Sequence, residues 1–149
     1  MDWVYNDKPV LDSEIPEAAI GFIYLITHID SGKMYIGKKN LYSHKYSVRT
    51  VTVKSGVNKG SKVKKKTKIQ IPSDWRDYYG SSDFLKEEIA KNGADRYRRE
   101  IIRYCYSKSE LSYYEIKEQL IRDVLLSDLY YNSWISCKIH KKHMKNSVL

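Results

Sequence analysis

GFIYLITHIDSGKMYIGKKN, residues 21–40, decides how this chain folds. Its first eight residues, GFIYLITH, alternate large side chains and are rich in β-branched and aromatic groups, the composition of a strand. Asp30-Ser31-Gly32 follows with turn chemistry, glycine being suited to a positive φ. KMYIG, residues 33–37, reads as a second short strand, so residues 21–37 form a hairpin. If its loop holds an even number of residues, Tyr24 and Tyr35 emerge on one face, opposite or diagonal. With 14 tyrosines in the chain, that pairing alone is as consistent with packing as with chemistry.

Downstream of the hairpin the charge changes abruptly. Residues 38–68 hold eleven Lys or Arg and no Asp or Glu. Taking those eleven from a total of 27 leaves 16 basic against 18 acidic residues elsewhere, so this segment carries more than the whole net charge of +9. Such a block attracts a polyanion, because each cation that meets a phosphate releases a condensed counterion. Its pieces RTVTVKSG and SKVKKKTKIQI form a second, extruded hairpin about the Gly56–Gly60 turn region. The ordinary alternative for a charge run is a solvated loop.

Further on, Pro72-Ser73-Asp74 makes a turn into a short helical or irregular stretch, DWRDYYG. Ser82 caps a helix over DFLKEEIAKN, which Gly93 closes. YRREIIRYCY, residues 97–106, reads as a third strand with a basic side. Ser109 caps a longer helix to about Leu126, with Tyr113, Tyr114, Leu120, Ile121, Val124 and Leu125 on one face. Asp128 to Trp134 is a loop or short strand. Residues 1–19, acidic and with two prolines, read as an arm that packs or frays, and residues 136–149 as a basic tail.

Composition excludes several functions. At 149 residues and 17.6 kDa the chain makes one domain, or one domain with an arm. No apolar run approaches the ~20 residues of a membrane span, and the N-terminus lacks the pattern of a secretory signal. Cys105 and Cys137 lack CxxC spacing, which excludes a disulfide scaffold or cysteine-zinc cluster and fits a reducing cytosol. His140 and His143, set among lysines, read as a tail patch with no partner spaced to complete a metal site. No glycine-rich phosphate loop is present, so nucleotide hydrolysis has no support.

FIY within GFIY, followed about ten residues later by Tyr35-Ile36-Gly37, resembles the paired signature of the GIY-YIG nuclease family. Gly21 stands one place earlier than in the literal first motif; the second is intact. The resemblance covers residues 20–135, with the basic segment 38–71 as an insertion, and is greatest to small free-standing phage endonucleases. It implies an α+β fold: a three-stranded antiparallel sheet flanked by helices, between the 1–19 arm and the 136–149 tail. It also implies metal-dependent hydrolysis of DNA to 5′-phosphate and 3′-hydroxyl ends, with Mg²⁺ or Mn²⁺ as cofactor. DNA is then the partner, no membrane is involved, a homo-oligomer would serve double-strand cutting, and the setting is the cytosol of a bacterial host.

Carried onto this sequence, the resemblance makes Tyr24 the activator of the attacking water and Tyr35 its companion. It makes Glu115, in SYYEIKEQ, the metal ligand, with Glu118 as rival because the helical wheel sets Glu118 closer to the apolar face. It makes Asn132, in YYNSW, a support of the site, the plain alternative being a turn residue. The family's phosphate-clamping arginine falls where Lys45 stands. Arg76 is the favoured substitute over Arg49, its plain alternative being an ion pair with Asp74 or Asp77, and Lys38 or Lys39 donates the charge if a lysine has taken over. Lys38, Lys39, Arg49, Lys62, Lys64, Lys65, Lys66 and Lys68 are the nucleic-acid contacts. Two other functions stay open: a binding module that has lost catalysis on the same scaffold, and an RNA-associated basic protein.

Overall fold

A computed structural model describes residues 2–137. The tail patch with His140 and His143 lies outside the described residues. The chain divides into two units, one of residues 1–41 with 74–149 and one of residues 42–73.

The first unit is built on β3 (Gly21–His28) and β4 (Met34–Asn40), the hairpin expected from the sequence. Its register pairs Tyr24 with Gly37 and Ile26 with Tyr35, so the two tyrosines lie on one face as diagonal neighbours. β7 (Tyr97–Cys105) pairs antiparallel with the other side of β3, with an irregularity between Ile23 and Tyr24. The sheet has five strands rather than three. β1 (Trp3–Tyr5) adds parallel to β7, and β2 (Lys8–Pro9) pairs with β1, giving the order β2-β1-β7-β3-β4. What holds β1 there is Trp3: its ring is buried against Phe22 and Tyr24, and its Nε1 donates to the Trp75 carbonyl at 2.8 Å.

Period-2 alternation sends the two sheet faces to different partners. Ile23 and Ile36 meet α2 (Lys108–Ile121) through Leu111 and Tyr114, with Val124 and Cys105 completing that core. Phe22 and Tyr24 face a second, aromatic layer that includes Trp3 and Trp75. Arg99 is buried there too, which corrects the expectation of a simply basic side for this strand. Its guanidinium donates to the carbonyls of Arg76 (2.6 Å) and Tyr78 (3.1 Å) and lies over the Trp3 and Tyr79 rings. It thereby pins the 3₁₀ turn Trp75–Asp77 to the sheet.

Helix α1 (Asp83–Asn92) begins at Ser82, whose hydroxyl accepts from the Leu85 amide, and ends at Gly93 with φ +91°. α2 departs from expectation at both ends. Ser107, not Ser109, caps it, and it stops at Ile121 because Arg122 leaves helical geometry and Asp123 turns left-handed, at φ +48°. The apolar face expected to run to Leu125 is therefore broken: Leu111, Tyr114 and Ile116 are buried, while Leu120, Ile121 and Leu125 are exposed.

The second unit is a two-stranded antiparallel ribbon, β5 (Tyr42–Thr52) and β6 (Lys62–Pro72), in unbroken register from Tyr42–Pro72 to Thr52–Lys62. The turn lies between them, with Gly56 and Gly60 both at positive φ. No side chain from 42 to 73 is buried.

Candidate active site

β4 is the last strand of its sheet, and an edge strand offers unpaired backbone groups. Residues 129–132 cover it. The Met34 amide donates to the Leu129 carbonyl and the Tyr131 amide to the Met34 carbonyl, both at 2.8 Å. At the next position a side chain takes over from the backbone. Asn132 accepts from the Ile36 amide at 3.0 Å and donates to the Ile36 carbonyl at 2.8 Å, and Gln119 donates to that same carbonyl at 3.3 Å. Asn132 is buried, so it is neither a turn residue nor a solvent-facing one; it closes the strand that carries the second motif.

Beside this edge lies a cleft of about 950 Å³, lined among others by Tyr35, Lys38, Tyr78, Ser81, Glu115 and Asn132. Glu115 reaches it from the middle of α2. Its Oε2 lies 3.0 Å from Lys38 Nζ, which also donates to Ser112 Oγ at 3.0 Å. The Tyr35 phenol bonds the Ser81 hydroxyl at 3.1 Å. Burial raises the Tyr35 pKa against the opposing effect of that bond, and the nearby Tyr78 and Glu115 raise it further.

Tyr24 stands one layer in, fully buried, with its ring 6.2 Å from Tyr35 and 5.8 Å from Tyr78. Its hydroxyl has no well-formed hydrogen bond. Burial, chiefly, pushes its pKa well above the ordinary phenol value, and Tyr78, Tyr35 and Glu115 add to the rise. Both motif glycines leave room. A β-carbon on Gly37 would lie 2.4 Å from the Tyr24 hydroxyl, and one on Gly21 would lie 2.5 Å from the Lys39 carbonyl oxygen and against Leu111.

The sequence-derived residues thus divide. Tyr35, Lys38, Glu115 and Asn132 line one cleft, and Tyr24 packs behind Tyr35. Glu118 instead pairs with Arg122 at 3.2 Å, one turn along the helix. Lys39 points to the face opposite Lys38, the one shared by Tyr24 and Tyr35, bonded to Asp74 at 2.6 Å and 3.8 Å over the Tyr78 ring; its ammonium holds the Asp74 carboxyl below the usual range. Arg76 does not line the cleft. Its guanidinium pairs with Asp12 and lies 4.5 Å over the Trp75 ring, a partner neither Asp74 nor Asp77 supplies. Arg49, Lys62, Lys64, Lys65, Lys66 and Lys68 belong to the ribbon. Sequence reasoning missed Ser81, Ser112 and Gln119, because a single Ser or Gln carries no signal until its partner is known.

The donor set suits a hard cation that keeps most of its waters. Among the described residues no three His, Cys, Asp or Glu side chains converge on one point, but magnesium sites commonly use one or two carboxylates. Glu115, with its side chain 19% exposed in the cleft, meets that requirement.

A family model described as "Putative endonuclease segE, GIY-YIG domain" matches residues 3–135. No curated protein and no solved structure matches the chain.

Proposed function

The chain belongs to the GIY-YIG endonuclease family, and from that premise we propose that it cleaves DNA by metal-dependent hydrolysis, leaving 5′-phosphate and 3′-hydroxyl ends. The observation that carries this reading is the convergence of Glu115, Lys38 and Tyr35 on one cleft at the edge of β4.

Each cleft side chain then takes a task, and Tyr24 takes one that needs water to reach its buried hydroxyl. Glu115 would hold Mg²⁺ or Mn²⁺, which when bound would neutralise charge at the scissile phosphate. Lys38 fills the role expected of an arginine, turning from Glu115 to a non-bridging phosphate oxygen as a flexible point charge. Tyr35, steadied by Ser81, orients the phosphate. Tyr24 activates the attacking water. A phenol with a raised pKa keeps its proton at neutral pH, so it acts as a hydrogen-bond partner and relay rather than as a standing phenolate. Asn132 positions Tyr35 and Lys38 by fixing β4 at Ile36, which lies between them. The basic ribbon holds the duplex, and cutting both strands calls for two copies of the chain. Among the described residues no helix is long and apolar enough to cross a membrane.

One observation favours the second reading, a binding module without catalysis: the Tyr24 hydroxyl is buried rather than open to the cleft. Incubation of the full chain with supercoiled plasmid and Mg²⁺ or Mn²⁺ decides between them. Nicked or linear product with 5′-phosphate ends is expected, abolished by EDTA. Glu115→Gln should lower the rate by at least about 100-fold, and Tyr24→Phe by about 100-fold, with thermal stability changed by about 1 kcal/mol for loss of the partly buried Lys38–Glu115 pair. A wild-type protein that cuts no DNA with either metal overturns the enzyme reading.

A further inference from the structure

The ribbon has two faces, and their chemistry differs. β6 alternates so that Lys62, Lys64, Lys66 and Lys68 all stand on one face. Their cross-strand neighbours are Thr52, Thr50, Val48 and Tyr46, none of them charged. The other face pairs Arg49 directly with Lys65, Lys45 with Ile69, and Val51 with Val63, and the run from 42 to 73 contains no acid. There two of the three cations repel each other across the strands, and Val51 and Ile71 are partly covered. On the first face every lysine is exposed, and Lys66 lies 4.4 Å over the Tyr46 ring, which steadies the centre of the row.

We infer that the ribbon grips duplex DNA through this one face, with Lys62, Lys64, Lys66 and Lys68 each taking a separate phosphate of one strand. The inference rests on the endonuclease reading for its choice of polyanion and deepens it by naming the gripping surface. Alternate residues on a strand stand about 6.8 Å apart, and a DNA strand carries a phosphate every ~3.4 Å of axis, so no two lysines need share one. A two-stranded ribbon is also narrow enough to lie along a major groove about 12 Å wide. The face offers a row of cations rather than a series of stacking rings, which suits a paired backbone rather than unpaired bases.

The test compares two triple-or-larger charge removals in the full chain, K62Q/K64Q/K66Q/K68Q and K45Q/R49Q/K65Q. Binding to a labelled 30-base-pair duplex is measured without divalent metal across a range of salt concentrations. The first variant should flatten the slope of log affinity against log salt by about 3.6, four contacts at ~0.9 each, and the second by less than about 1. Circular dichroism guards against misfolding, and each single Lys→Gln variant of the row should give about 0.9 by itself. Equal flattening by both variants overturns the proposal in favour of a diffuse cloud of charge. No flattening by either also overturns it, as does tighter binding to duplex RNA than to DNA. Cleavage assays on the same wild-type preparation keep the two readings apart: a protein that grips by one face and never cuts loses the enzyme assignment alone.

Discussion

Phe22, Ile23 and Tyr24 are completely buried in the sheet unit, whereas the ribbon from 42 to 73 buries no side chain. Both are β-structure, unbroken in register in the ribbon and shifted once between Ile23 and Tyr24 in the sheet, yet they are held by different physics. The sheet strands gain roughly 1.5–3 kcal/mol for each large apolar side chain removed from water. The ribbon has only ladder hydrogen bonds and cross-strand pairs worth roughly 0.2–1 kcal/mol each. Its glycines differ correspondingly. Gly37 is required because Tyr24 occupies the space a β-carbon would take, while Gly56 and Gly60 have open space around them and are required for their positive φ. The lesson is that a strand can be selected for packing or for display, and that burial on one or both faces distinguishes the two.

The comparison is tested most severely by removing the ribbon. Tyr42 and Pro72 are cross-strand partners, so a four-residue Gly-Ser link between them can replace residues 43–71. DNA affinity at low salt should fall by more than about 100-fold, since nine basic residues leave with the segment. The thermal midpoint should shift by less than about 3 °C, because no core contact is lost. Collapse of the remaining unit would show that the ribbon also stabilises it.

A smaller effect sets glycine against glycine. Gly37→Ala should cost roughly 1–3 kcal/mol by forcing Tyr24 from its place, measured by urea unfolding. Gly56→Ala should cost only about 1 kcal/mol, for backbone strain alone. Equal costs would mean that the ribbon turn is more constrained than its open surroundings indicate.

The smallest effect is alkaline. Burial, first of all, pushes the Tyr104 phenol and the Cys105 thiol in the sheet unit up to about 12. Their folded pKa values exceed the unfolded ones, so the folded state keeps protons that the unfolded chain releases. Stability from these groups is complete below about pH 9, where the unfolded thiol begins to titrate, and is lost as pH rises toward 12. Cys105→Ala should move the onset of this decline from near pH 9 to near pH 10, read by urea midpoints across that range. An unchanged onset would assign the decline to other groups.

The hairpin and α1 were legible because their signals are local: alternation in Gly21–His28 and turn residues at Asp30-Ser31-Gly32 for the first, caps at Ser82 and Gly93 for the second. β1 was not, because a three-residue strand has no period to read and its partner lies near residue 100. The end of α2 was hidden because Asp123, not a glycine, adopts the left-handed turn. Within the cleft, Tyr35, Lys38 and Glu115 stood out from the resemblance, as did Tyr24 behind them, and the side-chain link between Lys38 and Glu115 did not. Arg76 does not line the cleft, and its pairing with Asp12 of the N-terminal arm is a contact that local sequence does not show.

The bond between Ile36 and Asn132 spans 96 residues, and that distance sets a timetable. Ribosomes build chains from the N-terminus, so both motif tyrosines emerge early, and β3 and β4 can meet at once. The edge of β4 nevertheless stays open until Leu129 to Asn132 have been made and have docked along it. Until then Glu115 has no completed wall opposite it. The cleft beside β4 is thus completed only by the last described segment of the chain, long after the two motif strands have been made.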